Sequence, residues 1–274
     1  EKLSLIKLIF YEGYNTNINK KQIAESIFDL VKSSILYDDS KITNYDYIIF
    51  YLSLSLNLYE KFDEANFYLA QIYEQLKNYN KAEIYYNKLS SDHYYYLESM
   101  KNIALNKRFI DIKESEKDLI SLNDKYQENL ILLIALGDFY RITKQYEKSI
   151  VMYSKILNKK NLNKDQKWRI LYMRGICYER KDNWKLAEDD LLQALDINPD
   201  SSQVLNYLAY AWIEKNMKLD LALKMLKKAY KQDPDSHYIL DSLAWAYFKK
   251  NDLLKASRLM EEVVSRAPGE AISL

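Results

Sequence analysis

Few residues in this chain are of a kind that carries chemistry on its own: there are 2 His and 1 Cys among 274 residues. His93 and His237 are far apart in sequence. Neither has a Cys or second His at the spacing by which one helix holds a metal. Both are expected to be surface or capping residues. Cys177 has a thiol, but the equivalent positions elsewhere in the chain hold Ile72, Phe139, Ala211 and Ala246. An apolar slot that recurs makes Cys177 a packing residue rather than a nucleophile. The neighbouring carboxylates Asp189-Asp190 and Glu261-Glu262 are expected on solvent-facing helix turns. No Gly-rich phosphate loop, G-x-S-x-G or H-E-x-x-H motif is present. The expectation is therefore a protein that is not an enzyme, with no cofactor and no bound metal.

The composition narrows the class. Hydrophobic content is 48%, charged content 29%, and only 4 Gly and 3 Pro interrupt the chain, which favours long helices over sheets or disorder. The net charge of +1 argues against nucleic acid or anionic lipid as an electrostatic partner. A single cysteine excludes an internal disulfide. The 26 Tyr suit an AT-rich coding sequence, with a sticky aromatic surface as the rival reading. No apolar run reaches the length of a membrane span. Residues 1–10, EKLSLIKLIF, suit an amphipathic helix better than a signal peptide.

The elements that must position any functional surface repeat. Before Pro199 stand Gly175, Tyr178, Ala187, Leu191 and Ala194; before Pro234 stand Ala209, Trp212, Ala222, Leu226 and Ala229; before Pro268 stand Ala244, Tyr247, Ala256, Met260 and Val263. The prolines are 35 and 34 residues apart. A small residue and an aromatic three later share one face of a first helix. The alanine of a second helix lets the two axes approach. Proline cannot continue the helix, so it closes the unit. Asp200-Ser201 and Asp235-Ser236 offer oxygens to cap the next helix.

This pattern resembles the tetratricopeptide repeat. The resemblance implies an all-α, right-handed superhelical solenoid of about seven helix-turn-helix units running through residues 1–274. Residues 1–60 hold divergent N-terminal helices, with Leu3 to Phe10 covering the open end. A helix over Lys21 to Leu36 places Ile23, Ile27, Leu30 and Val31 on one face, with Ala24 as the small position. A polar loop of 37–44 follows. Tyr45 to Leu58 alternates like a strand, yet the register puts Leu52 and Ser55 where Leu191 and Ala194 stand later, so a helix is expected. Residues 61–164 hold weaker units. Ala70, Tyr73, Ala82, Tyr86 and Leu89 are in register, with Asn78-Tyr79-Asn80 as the turn. Lys107 replaces the aromatic after Ala104, and Ser149 takes the alanine slot after Gly137. Asn158 to Lys167 is polar, with about four inserted residues. Residues 165–268 hold the three strong units, and 269–274 form a tail.

Residues 165–268 are also similar to bacterial envelope repeat proteins, through Asn206-Tyr207-Leu208, Asp241-Ser242-Leu243, Trp245 and the extra residue near Met217. More distantly they are similar to lipoprotein adaptors of periplasmic C-terminal processing proteases. That resemblance implies a periplasmic or outer-membrane location, with membrane association through a leader or anchor upstream of residue 1; a cytoplasmic location is the alternative. In the family, the first helices line an inner groove that binds other proteins or peptides. The matching positions here are Asp138 and Arg141, then Arg169, Tyr172, Ile176, Glu179 and Arg180. They continue with Gln203, Asn206, Tyr210, Ile213 and Glu214, and then Tyr238, Asp241, Trp245, Phe248 and Lys249. The subclass that clamps chaperone carboxylates is excluded, because Leu105 and Ala135 stand where asparagines belong. The expected function is a non-catalytic scaffold or adaptor holding a partner polypeptide in this groove. The alternatives are a rigid structural subunit bound through its convex face or ends, and an adaptor delivering substrates to an envelope protease.

Overall fold

The computed structural model describes residues 19–37, 45–127 and 129–267. The end helix expected at Leu3 to Phe10, the body of the 37–44 loop, and Pro268 with the tail lie outside the described residues. Among the described residues there is no strand. Helices pair in sequence order as antiparallel hairpins. They are α1 (Lys20–Tyr37) with α2 (Tyr45–Leu58), α3 (Asp63–Gln75) with α4 (Tyr79–Tyr86), and α5 (Tyr96–Asn106) with α6 (Ile112–Lys125). Then come α7 (Leu130–Ile142) with α8 (Tyr146–Leu157), α9 (Lys164–Arg180) with α10 (Trp184–Ile197), α11 (Ser202–Glu214) with α12 (Leu219–Gln232), and α13 (His237–Lys249) with α14 (Leu253–Arg266). The chain forms two compact units, one ending at Gln127 and one beginning at Glu128.

In the first unit the small positions Ala24, Ala70, Ala82 and Ala104 are buried, as the register requires. The alternating stretch is the helix α2, with Leu52 and Ser55 fully buried. Backbone groups of a lone strand would have found no partners in a stack of helices. Where serine replaces alanine at a helix contact, its hydroxyl donates to a carbonyl of the partner helix. Ser55 Oγ reaches the Ala24 oxygen at 2.8 Å and Ser115 Oγ the Ala104 oxygen at 2.6 Å. Lys107, standing in the aromatic slot, instead ion-pairs with Asp118 at 2.7 Å and Glu114 at 3.1 Å on α6.

Two expectations need correction. Leu30 is 70% exposed, and Phe28 occupies the buried face with Ala24, Ile27 and Val31. Residues 24, 27, 28 and 31 follow the i, i+3, i+4, i+7 stripe, whereas residue 30 falls over 100° from its centre. The α3–α4 turn is Leu76–Asn78; Tyr79 and Asn80 already belong to α4, whose first turn is capped by the Asn78 side chain. In the polar stretch of residues 158–167 the helix begins at Lys164: Asn163 caps α9 in a reciprocal box with Gln166, and α9 runs 17 residues against 13 for α11. The added residues extend α9 by one turn at its start.

In the second unit a continuous core runs through Trp168, Leu171, Leu191, Leu208, Trp212, Leu226 and Leu243. Gly137 and Gly175 sit where α7 and α9 lie closest to their partner helices. Ser149 fills the alanine slot and donates to the Gly137 oxygen at 2.8 Å. Ser201 and Ser236 cap α11 and α13, accepting from the Val204 and Ile239 amides. The turns inside the hairpins use left-handed residues that are not glycine: Lys77, Lys144, Asp182, Asn216 and Asn251. Nothing in the chain's residue types marks Lys77 or Lys144 for that conformation.

Candidate functional site

The candidate face belongs to the second unit and is built by α7, α9, α11 and α13. On α7, Asp138 and Arg141 lie three residues apart and pair at 3.1 Å. The fully buried Tyr153 of α8 donates its hydroxyl to Asp138 at 2.7 Å, and Arg141 Nε donates to that hydroxyl at 3.4 Å. Burial, reinforced by the Asp138 charge, pushes the Tyr153 phenol far above its ordinary range. These two groove candidates are therefore held by the hairpin beneath them.

Between α9 and α11 the link is aromatic. Tyr172 meets Tyr207 edge to face at 5.8 Å, and Tyr207 donates to Glu179 at 3.1 Å. Burial raises both phenols, and Glu179 adds to the effect on Tyr207. Arg180 lies 3.6 Å from Glu179, with most of its side chain in solvent. The Asn206 side-chain oxygen is buried and has no hydrogen-bond partner among the described residues. Arg169 is engaged on its own helix, pairing with Asp165 at 3.1 Å and lying over the Trp168 ring.

Tyr210 is where charges from three helices converge. It is 39% exposed. Its phenol is raised by burial, then by Glu214 and Asp241, with Arg180 opposing. Burial also raises the Asp241 carboxyl, against the opposing charge of His237. Trp245 Nε1 donates to Glu214 at 2.6 Å, joining α13 to α11. Its ring stacks on Phe248 at 5.2 Å, and Lys249 lies over it at 4.8 Å. Phe248 and Tyr238 remain 50% and 61% exposed. Ile213 departs from the expected lining: it is 1% exposed and packs in the core, because its side of α11 turns into the hairpin stack.

Sequence reasoning missed two groups. Tyr207 stood in the quoted Asn206-Tyr207-Leu208 stretch, but nothing marked it as the bridge to Glu179. Asp190, expected in solvent, is buried. Its carboxylate takes two hydrogen bonds from Arg174 of α9, at 2.7 and 2.8 Å, and Arg174 Nη1 donates to Ser154 of α8 at 3.0 Å. The signal existed in the register: Gly175 packs on Ala187 and Leu191, so residues 174 and 190 must face one another. Asp189 does face solvent.

The chemistry-bearing residues hold structural positions. Cys177 is fully buried, with its thiol donating to Ser149 Oγ at 3.3 Å, and burial pushes the thiol up from its ordinary range. His93 Nδ1 accepts from the Tyr95 amide at 3.2 Å and its Nε2 lies 3.5 Å from Glu64. Among the described residues no group of three or more His, Cys, Asp or Glu is placed to hold a metal. No described helix is long and apolar enough to cross a membrane.

Known proteins bear on this arrangement. Profiles of the tetratricopeptide repeat match residues 168–201 and 63–91. A tetratricopeptide repeat protein from Parabacteroides merdae superposes with a TM-score of 0.65 at 14% identity, over 92% of this chain and 96% of that one. Pseudomonas aeruginosa pilF gives 0.61 at 14% identity, over 76% and 93%. MamA from Desulfovibrio magneticus RS-1 gives 0.52 at 16% identity, over 64% and 96%. At such identities the likeness concerns the fold. No curated protein sequence matches the chain significantly.

Proposed function

We propose, on the premise that this chain is a tetratricopeptide-repeat protein, that it is a non-catalytic scaffold or adaptor holding a partner polypeptide across α9, α11 and α13. One observation carries the reading. Tyr210, Tyr238 and Phe248 keep large aromatic surfaces in solvent beside the half-buried Trp245, while Arg180, Glu214 and Asp241 stand among them. Aromatic area flanked by oriented charges suits a polypeptide surface. The aromatics supply buried area on binding. Arg180, Glu214 and Asp241 set direction. Loss of one central aromatic anchor costs about 2 kcal/mol of binding.

The test is a photo-crosslinker at Tyr210 in the native host, in the wild type and in Trp245→Ala. A partner that crosslinks at Tyr210 and dissociates in Trp245→Ala, with the far-UV spectrum unchanged, supports the groove. A partner retained in full by a folded Trp245→Ala protein removes it.

A second reading is favoured by the end of the unit. An apolar cavity of about 290 Å³ opens between α13 and α14, lined by Trp245, Phe248, Leu253, Ala256 and Met260. Leu254 beside it is 84% exposed. In this reading the chain is a rigid subunit of a larger assembly, bound at that end. Hydrogen exchange on the native complex separates the two, since end docking protects α14 and groove docking protects α9 and α11. The similarity of residues 165–268 to envelope repeat proteins supports work in the bacterial envelope, including delivery of substrates to a protease there. Fractionation of the native host tests it, and a purely cytoplasmic pool would reject it.

A further inference from the structure

Between α3 and α5 of the first unit, with the start of α2 at its side, lies a cavity of about 350 Å³. Its wall holds two phenols, Tyr45 and Tyr68, three carboxamides, Gln71, Gln75 and Asn102, and one carboxylate, Glu74. Beneath them the fully buried Tyr86 donates its hydroxyl to Glu74 Oε2 at 2.8 Å and accepts from Asn102 Nδ2 at 2.9 Å. Burial, then the Glu74 charge, pushes that phenol far above its ordinary range. Tyr86 therefore stays a donor and holds Glu74 and Asn102 in place. Tyr68 is braced by Phe28 at 5.6 Å and Tyr95 at 6.4 Å.

The wall is prepared for a guest in two respects. No Lys or Arg among the described residues pairs with Glu74, and the side chains of Gln71 and Gln75 hydrogen-bond to no described residue. The neighbouring Glu98, which adds to the negative field at Tyr86, is answered by Lys101 at 3.5 Å; Glu74 has no such answer. A carboxylate beside aromatic rings suits an ammonium or guanidinium group. Each carboxamide offers a donor and an acceptor together, the complement of a peptide unit. The volume lies within the range of small-ligand sites.

We propose that this cavity receives the cationic end of a lysine or arginine side chain, presented by an extended segment of a partner polypeptide whose backbone pairs with Gln71, Gln75 and Asn102. The site is independent of the second-unit face.

The test uses the full chain, labelled with nitrogen-15, titrated with acetyl-Ala-Lys-Ala-amide. The side-chain amide signals of Gln71, Gln75 and Asn102 shift, and the same peptide with norleucine for lysine binds at least about tenfold more weakly. Glu74→Gln reduces the lysine peptide to the norleucine level, while its amide oxygen still accepts from Tyr86; an unchanged melting curve verifies the fold. Trp245→Ala leaves the titration unaltered, which keeps this site's outcome separate from that of the second-unit face. Absence of shifts at millimolar peptide, equal binding of the two peptides, or full affinity in Glu74→Gln overturns the proposal. Cadaverine binding as tightly as the peptide would assign the cavity to free diamines and overturn the polypeptide source.

Discussion

Gly137→Ala is expected to destabilise the second unit, although alanine is the better helix former. A Cβ at Gly137 would lie 2.5 Å from Tyr153 Cε1, 2.9 Å from Cδ1 and 3.1 Å from Cζ. Ordinary carbon contacts are about 3.5–4.0 Å, so the ring must withdraw by roughly 1 Å. It has little room: Tyr153 is fully buried among Leu133, Ile156 and Cys177, and its hydroxyl is bound to Asp138 and Arg141. Overpacking of this kind costs about 1–3 kcal/mol, and a strained or lost hydrogen bond about 1 kcal/mol more. The gain in helix propensity returns about 1 kcal/mol. The net expectation is a loss of about 2 kcal/mol. Gly175→Ala is the internal control. Its Cβ would lie 3.0 and 3.2 Å from the Leu191 side chain and 3.3 Å from the Ala187 oxygen, so a small rotation of Leu191 relieves most of the contact. That variant should fall within about 0.5 kcal/mol of wild type, the propensity gain offsetting the shift. Urea unfolding followed by tryptophan fluorescence reads the right region, because Trp168, Trp184, Trp212 and Trp245 all lie in the second unit. Tyr153→Leu in the Gly137→Ala background should recover part of the loss, giving a coupling of about 1 kcal/mol or more. A Gly137→Ala protein as stable as wild type, or indistinguishable from Gly175→Ala, would refute the reasoning.

Three further outcomes follow from the same structure. Lys144, at φ 60°, holds a left-handed turn that costs a non-glycine residue about 1–2 kcal/mol, so Lys144→Gly should raise the unfolding free energy by about 0.5–1 kcal/mol after the entropy of the unfolded glycine is counted. Asp190→Ala leaves the Arg174 guanidinium partly buried without its carboxylate and should cost about 3 kcal/mol in the same assay. Asp241 has its carboxyl raised in the folded state, so the folded chain holds that proton more tightly than the unfolded one. Stability from this group is then present below the unfolded carboxylate range and lost as pH rises through the raised folded value. Asp241→Asn should therefore be more stable than wild type at pH 7, with the advantage shrinking as the solution is acidified. Melting curves from pH 3 to pH 7 check the sign.

The hairpins and their register were legible without coordinates. The small-aromatic-alanine phase placed Ala70, Ala82, Ala187 and Ala222 at helix contacts, and all four are buried. It also overruled the strand-like alternation of Tyr45 to Leu58, because a helix there completes a pair and a strand completes nothing. Leu30 and the start of α4 were misjudged for a local reason: a helical stripe is wide, and its margin and ends are set by what packs against it. The candidate face was legible as a set of positions but not as a set of contacts. Tyr207 reaching Glu179, Trp245 reaching Glu214 and the charges meeting at Tyr210 each depend on a helix one repeat away.

The amino-acid order alone determined a stack of helix pairs, because each pair is a local event: a periodic stripe, a small residue at the crossing, and a break some thirty-four residues on. Only the tertiary structure decided which polar groups are enclosed and with whom. Asp190 reads like Asp189 until α9 is laid against it, and Glu74 and Asn102 become one wall only when two hairpins meet over Tyr86. Burial and pairing of charge depend on distance in space, and those partners lie from twelve to twenty-eight residues apart along the chain.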